Sequence, residues 1–293
     1  MGKNISEGVN LSYGYGTYRL RILFDPLEQP VAFWLRGIQA SSAVQLNGVA
    51  ESSIGKPDVD KRYYKPSNPS YTSSYSRLGT REIELIIQVA NFDNPYNGGI
   101  VQSIRFGSQA AIDYTRWYSI GFQLVTFITL MLHGLYIFIF YLFNPKERTL
   151  ALVFLLTIAV ATATIAGYDN LLLVWLPINY TWALKVKLLS QLWQPLLILL
   201  VFRGLTSYKL NSVWWLNIYT TLLTLYTASL LVAPATFANR SIDLGIFGLL
   251  YILPFLRFVY AIILIILKEQ NDTAGSSCCC LRQVSYRTYS GPY

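Results

Sequence analysis

Along this chain, polar and apolar positions follow two different rhythms. Up to about residue 107 they alternate or form short apolar runs, and beyond residue 117 they merge into long apolar stretches. Tyr18-Arg-Leu-Arg-Ile-Leu-Phe24 alternates as a strand with one buried face would. Val31–Leu35 is a short apolar run, and Ala43-Val-Gln-Leu46 leads into Asn47-Gly48, a pair suited to the positive φ angles of a tight hairpin. Glu82–Asn91 places Ile83, Leu85 and Ile87 on one face, and Ile100–Phe106 closes the set. Lys65–Ser76, rich in Ser, Pro and Tyr, reads as a surface loop. Short strands divided by turn residues predict an antiparallel sandwich over residues 1–115.

The second half contains five apolar segments, at 117–143, 150–167, 186–202, 213–232 and 244–267. A helix crossing the hydrocarbon core needs about 20 predominantly apolar residues, which predicts a transmembrane bundle over residues 116–268. The segment 186–202 is short and carries Gln191, Gln194 and Pro195, so it is expected to kink or to pack inside the bundle. Residues 269–293 are expected to form a disordered cytoplasmic tail.

Composition supports this division. Of 293 residues, 53% are apolar and 13% charged, with mean hydropathy +0.38; a soluble domain carries about 25% charged residues. Residues 1–116 hold 12 Lys/Arg and 10 Asp/Glu, whereas residues 117–293 hold 11 and 5, so +6 of the net +8 belongs to the apolar half. That excess lies mainly in short loops, where it orients spans and meets anionic lipid, and it does not point to nucleic acid. Lys146, Arg148, Arg203, Lys209, Lys268, Arg282 and Arg287 fall on one side, against Arg116, Lys185, Lys187 and Arg240 on the other. The bias predicts a multi-pass plasma-membrane protein with its N-terminal domain outside and its C-terminus in the cytoplasm. Trp117, Tyr118, Trp175, Tyr180, Trp182, Trp214 and Trp215 mark span ends as headgroup-level anchors. The three adjacent cysteines Cys278–Cys280 exclude a disulfide framework or a dispersed zinc site, leaving a juxtamembrane palmitoylation site or an inert tail.

Candidate chemistry is sparse. The single histidine, His133, lies inside the first span, so no Ser/His/Asp arrangement can form outside the membrane; it reads as a proton sensor or as a packing residue bonded to a neighbouring helix. No phosphate-binding Gly loop, metal-ligand cluster or kinase phosphoacceptor motif appears, so the chain reads as non-enzymatic and cofactor-free. Arg257 lies near the middle of the last span, ~15 Å along the helix from Leu267, too far to snorkel easily. It reads as polar glue or as a signalling switch, with Gln191 and Gln194 as candidate partners. A sugar site needs aromatic platforms beside hydrogen-bonding groups, and Trp34, Tyr63, Tyr64, Tyr71, Tyr75, Asn91, Asp93 and Asn94 supply these types. Against that, Trp34 sits in an apolar run that suits a core, and Asn91 and Asn94 suit turns. The stretch from Tyr63 to Tyr75 is the expected ligand rim; Asp58 and Asp60 could contact calcium but sit beside Lys61 and Arg62.

Gly14-Tyr-Gly-Thr-Tyr-Arg-Leu-Arg21, the Ala43–Gly48 turn and Ile86-Ile-Gln-Val-Ala-Asn-Phe92 followed by Gly98-Gly99-Ile100 resemble a galactose-binding-type jelly roll. Their order, directly before a membrane bundle, is similar to the bacterial seven-transmembrane receptors with diverse intracellular signalling modules. The resemblance covers about residues 12–267. It implies a multi-domain membrane protein: an exterior all-β jelly-roll sandwich that senses a carbohydrate-like or small ligand, followed by an α-helical transmembrane bundle. It further implies a cytoplasmic output module or response regulator, and a homodimer is an expected state. With five spans, no output module and no signal peptide ahead of residue 12, the chain is expected to be a fragment of a longer receptor. The alternative expectation is a transporter or membrane-enzyme accessory subunit with an exterior docking domain.

Overall fold

The computed structural model describes residues 12–167, 169–176, 178–206 and 213–287, with side chains to Leu267 except at positions 213 and 243. Lys209, the first eleven residues, the last six and the side chains of Lys268, Cys278–Cys280, Arg282 and Arg287 therefore lie outside the description.

Among the described residues, nine strands precede seven helices. The strands are β1 (Gly14–Leu23), β2 (Val31–Leu35), β3 (Ile38–Gln39), β4 (Ser41–Leu46), β5 (Val49–Ile54), β6 (Tyr71–Tyr75), β7 (Glu82–Asn91), β8 (Gly99–Ile100) and β9 (Arg105–Ser108). They form a sheet of order β1-β7-β4-β5, a sheet of order β6-β2-β9 and a small β3-β8 pair, all antiparallel. The two larger sheets share one core, in which Val31, Phe33 and Leu35 meet Val44, Leu46, Tyr71, Tyr75, Ile83, Leu85 and Ile87. Each fully buried large side chain there removes apolar surface worth roughly 1.5–3 kcal/mol.

β7 has the predicted bounds and the predicted inward face. Asn47 and Gly48 make the predicted hairpin between β4 and β5, at φ 50° and 78°. Other expectations change. β1 pairs with β7 alone and is an edge strand, so its apolar positions Leu20 and Leu23 are exposed and only Ile22 packs on the core. Its Arg19 and Arg21 instead pair across the ladder with Glu84 and Glu82. The expected surface loop Lys65–Ser76 contains β6, whose Tyr71, Ser73 and Tyr75 point inward. The expected strand Ile100–Phe106 is divided into β8 and β9, which belong to different sheets.

The helices are α1 (Gln109–Phe143), α2 (Arg148–Ile165), α3 (Leu171–Trp175), α4 (Tyr180–Leu205), α5 (Val213–Val232), α6 (Ala235–Asp243) and α7 (Ile246–Arg287). Among the described residues, α1, α2, α4, α5 and the Ile246–Leu267 part of α7 are long and apolar enough to cross a membrane. In α1 only 6% of the most apolar window is buried inside the protein, leaving an apolar surface too continuous for water. The chain is thus a β-sheet region followed by a multi-pass helical region. The helical backbone of α7 continues past Leu267 to Arg287, into the stretch expected as tail.

Among the described residues, two prolines lie inside helices, Pro195 in α4 and Pro254 in α7. A proline lacks the N–H that would bond the carbonyl four residues earlier. For Pro254 that carbonyl belongs to Leu250, and the Tyr219 hydroxyl of α5 donates to it instead. Beside Pro195, Gln194 Nε2 donates to the Ala159 carbonyl of α2 at 3.2 Å, tying the two spans.

β9 passes into α1 without a linker: Ser108 ends the strand and caps the helix, its Oγ accepting from Ala111 N–H. β2 is buried on both faces, so Ala32 and Trp34 pack against Ile112 of α1 while Phe33 faces the sandwich. The sheets therefore sit directly on the bundle.

Candidate functional site

The junction between sheet and bundle is polar and centred on Asp169, in the turn between α2 and α3. Its side chain is completely buried. Oδ1 accepts a hydrogen bond from Ser70 Oγ at 2.8 Å; Oδ2 accepts from Ser119 Oγ at 2.8 Å and Gln123 Nε2 at 2.7 Å. Ser119 and Gln123 are four residues apart on α1, which places them on one helix face. Arg36 Nε lies 3.5 Å from Oδ1, close enough for an ion pair. A single carboxylate thus joins a loop before β6, the turn after β2, α1 and the α2–α3 turn.

Local structure aims each partner. Gly37 follows Arg36 at φ 59°, where an added Cβ would come within 2.7 Å of Gln102, so the turn that presents Arg36 needs glycine. Asn170 adopts a left-handed conformation at φ 46°, and its Nδ2 donates to Asn68 O at 3.3 Å and Oδ1 at 3.2 Å. Ser70 N–H also reaches the Asp169 carbonyl, and Arg116 Nη1 of α1 donates to Thr72 Oγ1 of β6 at 3.2 Å.

A second contact lies beside it. Gln39 Nε2 donates to the Tyr180 hydroxyl at 2.9 Å, and Asn239 Nδ2 of α6 donates to the Asp93 carbonyl at 3.1 Å. Tyr180, expected as a headgroup-level anchor, is buried here beneath the sheet domain. The Tyr64 hydroxyl donates to Asp93 Oδ2 at 3.0 Å, and its ring meets Phe92 edge-on. Burial raises the Asp93 carboxyl above the ordinary Asp range, with the Tyr64 bond and Lys61 acting in opposition. Burial likewise pushes the Tyr64 phenol up, and the neighbouring Asp93 adds to it.

The candidate sugar-site residues divide into three groups. Tyr64, Asn91, Asp93 and Asn94 come together. Asn91 Nδ2 donates to the carbonyls of Ser12, Asn94 and Asn97, its Oδ1 accepts from Asp93 and Asn94 N–H, and Asn94 Oδ1 accepts from Tyr96 and Asn97 N–H. Both asparagines shape the 91–97 loop. Trp34 and Tyr71 are buried elsewhere. Trp34 packs on α1 with the guanidinium groups of Arg36 and Arg105 over its ring at 4.5 and 5.3 Å. Tyr71 shares a hydrogen bond with Ser42 Oγ at 2.7 Å, and burial pushes its phenol up to about 12. Tyr63 is the open ring, 59% exposed, with Lys56 Nζ at 5.4 Å and Arg62 at 6.0 Å. Asp60 is taken up by Arg62 and by its own turn, and the Asp58 carboxylate by Asp60 N–H and Lys56. Among the described residues no group of three or more His, Cys, Asp or Glu could hold a metal ion.

The intramembrane candidates also separate. His133 is on the exposed side of α1, and its Nδ1 bonds the Thr129 carbonyl of its own helix at 2.8 Å rather than a neighbouring one. Gln194 bridges α4 and α2, Gln191 is half-buried on α4, and Arg257 faces the rings of Trp215 and Tyr260. The elements missed by sequence reasoning are Asp169 and its donors. Their one sequence signal is an acidic residue in a half that has only five.

No family model and no curated protein sequence matches the chain. Part of it is similar to the solved structure of a GH2 beta-galacturonidase from Eisenbergiella tayi bound to galacturonate, at 12% identity over 32% of this chain and 17% of that one, TM-score 0.25. A putative beta-galactosidase from Bacteroides fragilis matches at 22% identity over 32% of this chain and 15% of its own, TM-score 0.25. A Faecalibacterium prausnitzii beta-glucuronidase matches at 12% identity over 34% and 17%, TM-score 0.22. The chain spans less than a fifth of each of these structures, and at these scores the likeness assigns neither fold nor function.

Proposed function

We propose that this chain is the sensing part of a multi-pass membrane receptor. Its jelly-roll-like sandwich lies outside, binds a carbohydrate or another small ligand, and passes the event through the bundle to a cytoplasmic signalling module. The distribution of Lys and Arg between loops supports the orientation. The chain transmits rather than catalyses, and its ligand face centres on the open Tyr63 ring, which precedes the Tyr64 that bonds Asp93. The Tyr64–Asp93 pair adjoins the bundle, since the Asp93 carbonyl accepts from Asn239 of α6.

The observation that carries the reading is the buried Asp169 cluster. A β domain that merely docked or tethered other proteins would need no shared buried carboxylate with two membrane helices. Three hydrogen-bond donors and the Arg36 guanidinium, from three separate elements, converge on it, so a second packing of the bundle would present it with a different set of partners. A ligand shifts such an equilibrium only as far as its affinities for the two packings differ.

The test uses the full chain in lipid nanodiscs, screened on a glycan array and then followed by hydrogen–deuterium exchange with the best glycan. Binding should be lost in Tyr63→Ala and kept in Asp169→Asn, while the ligand-induced exchange change in residues 116–123 should vanish in Asp169→Asn. No glycan bound by the unmodified chain, or an unaltered exchange response in Asp169→Asn, would overturn the proposal.

A further inference from the structure

By sequence Arg257 occupies the middle of the last apolar stretch, but its neighbours set it at a different level. Its guanidinium lies 5.9 Å from the Trp215 ring centroid and 5.1 Å from that of Tyr260. The next residue, Phe258, meets Phe202 edge-on at 5.1 Å. Trp215 belongs to the first turn of α5 and Phe202 to the last turn of α4. At 1.5 Å per residue, Arg257 is thus within about 5 Å of the ends of both helices. This is the end of the bundle remote from the sheets. Lys146, Arg148 and Arg203 also belong to it, and Gly204 is close enough to Thr149 that an added Cβ would meet Oγ1 at 2.4 Å.

Basic side chains outnumber acidic ones at this end, where Glu147 stands between Lys146 and Arg148. Arg257 Nε is buried and has no hydrogen-bond partner among the described residues, and none of the ion pairs found among them involves this side chain. A guanidinium presents donors in a fixed planar fork that matches the oxygens of a phosphate, and stacking on aromatic faces fixes its plane beforehand. Tryptophan at a span end sits at headgroup level, where lipid phosphates are.

We infer that Arg257, held against Trp215 and Tyr260, is a binding site for a phosphate group, supplied by the headgroup of an anionic phospholipid on the membrane face opposite the β domain. The site stands independently of the receptor reading, because it uses no residue of the sheets or of the Asp169 cluster.

Native mass spectrometry of the purified full chain tests it, with phosphatidylglycerol and phosphatidylcholine of identical acyl chains in parallel arms and inorganic phosphate as competitor. The unmodified chain should retain phosphatidylglycerol over phosphatidylcholine by at least about tenfold, as for one charge-assisted contact. Arg257→Gln should abolish that preference, Arg257→Lys should keep part of it, and Arg203→Gln should leave it unchanged. Equal retention of the two lipids by the unmodified chain overturns the inference without recourse to any variant. So does a preference that survives Arg257→Gln. Displacement by inorganic phosphate would overturn the lipid as the source while upholding the phosphate chemistry.

Discussion

Replacing Asp169 is the sharpest perturbation the structure offers. Asp169→Ala removes an acceptor serving three side-chain donors at 2.7–2.8 Å and leaves Arg36, only 18% exposed, without its counter-charge. Hydrogen bonds to a charged group are worth roughly 1.5–3 kcal/mol each, but they do not add within one cluster, and both serines can rotate towards other acceptors. Breaking a buried ion pair from one side costs roughly 3–5 kcal/mol, which we take as the whole effect. Asp169→Asn keeps the shape and one oxygen. Its amide can donate to Ser119 if that hydroxyl turns and to the unpartnered Gln123 Oε1 if that amide flips, so its cost reduces chiefly to the orphaned Arg36, roughly 1.5–3 kcal/mol. Hydrogen–deuterium exchange of the full chain in nanodiscs reads this as local opening. Residues 68–75 and 116–123 should exchange about a hundredfold to a few thousandfold faster in Asp169→Ala, and less so in Asp169→Asn. Exchange within a factor of about three of the unmodified chain, under ~0.7 kcal/mol, would refute the claim that Asp169 holds the domain to the helices. An Arg36→Met/Asp169→Ala cycle should return a coupling above ~0.5 kcal/mol.

Three further outcomes follow from other parts of the fold. Asn47→Ala loses a left-handed residue whose side chain bonds Tyr75 OH and Glu84 N–H, so chemical denaturation should show a loss of about 1–2 kcal/mol confined to the sheet domain. Gly204→Ala should separate the ends of α2 and α4 and lower the thermal midpoint, with partial rescue by Thr149→Ala, because Thr149 Oγ1 is the obstructing atom. Asp93 has a raised carboxyl in the folded state, so its contribution to stability is fully present below the ordinary Asp value of ~3.9 and is lost as pH rises through the raised one. Asp93→Asn should flatten that part of the stability–pH curve, measured by thermal unfolding across the acid range.

What the sequence revealed depended on how local the cause was. β7 was legible because its alternation, Ile83-Glu-Leu-Ile-Ile, reports a face buried along its whole length. The Asn47-Gly48 turn and the five apolar helices rest likewise on local composition. β1 shows the same alternation, yet its exposure follows from an edge position, which is a property of pairing and not of the strand. β6 was hidden because Tyr71-Thr-Ser-Ser-Tyr75 has few apolar residues; the sheet buries its tyrosines and satisfies their hydroxyls through Ser42 and Asn47. In the candidate site, Tyr64 and Asp93 do meet, whereas Trp34 and Tyr71 fill cores. Asp169 was invisible because its partners come from residues 36, 70, 119 and 123, and no local pattern encodes that convergence.

The uninterrupted passage from β9 to α1 gears the two domains together. A helix turns about 100° per residue, so the azimuth of α1 is indexed by the register that sets Val31 opposite Ser108. With no residue between them, any twist of the β6-β2-β9 sheet would have to appear as axial rotation of the 35-residue α1, and Ser119 and Gln123, four residues apart on one helix face, would swing relative to Asp169 as a pair. The coordinate linking sheet and helix is therefore an angle about the α1 axis.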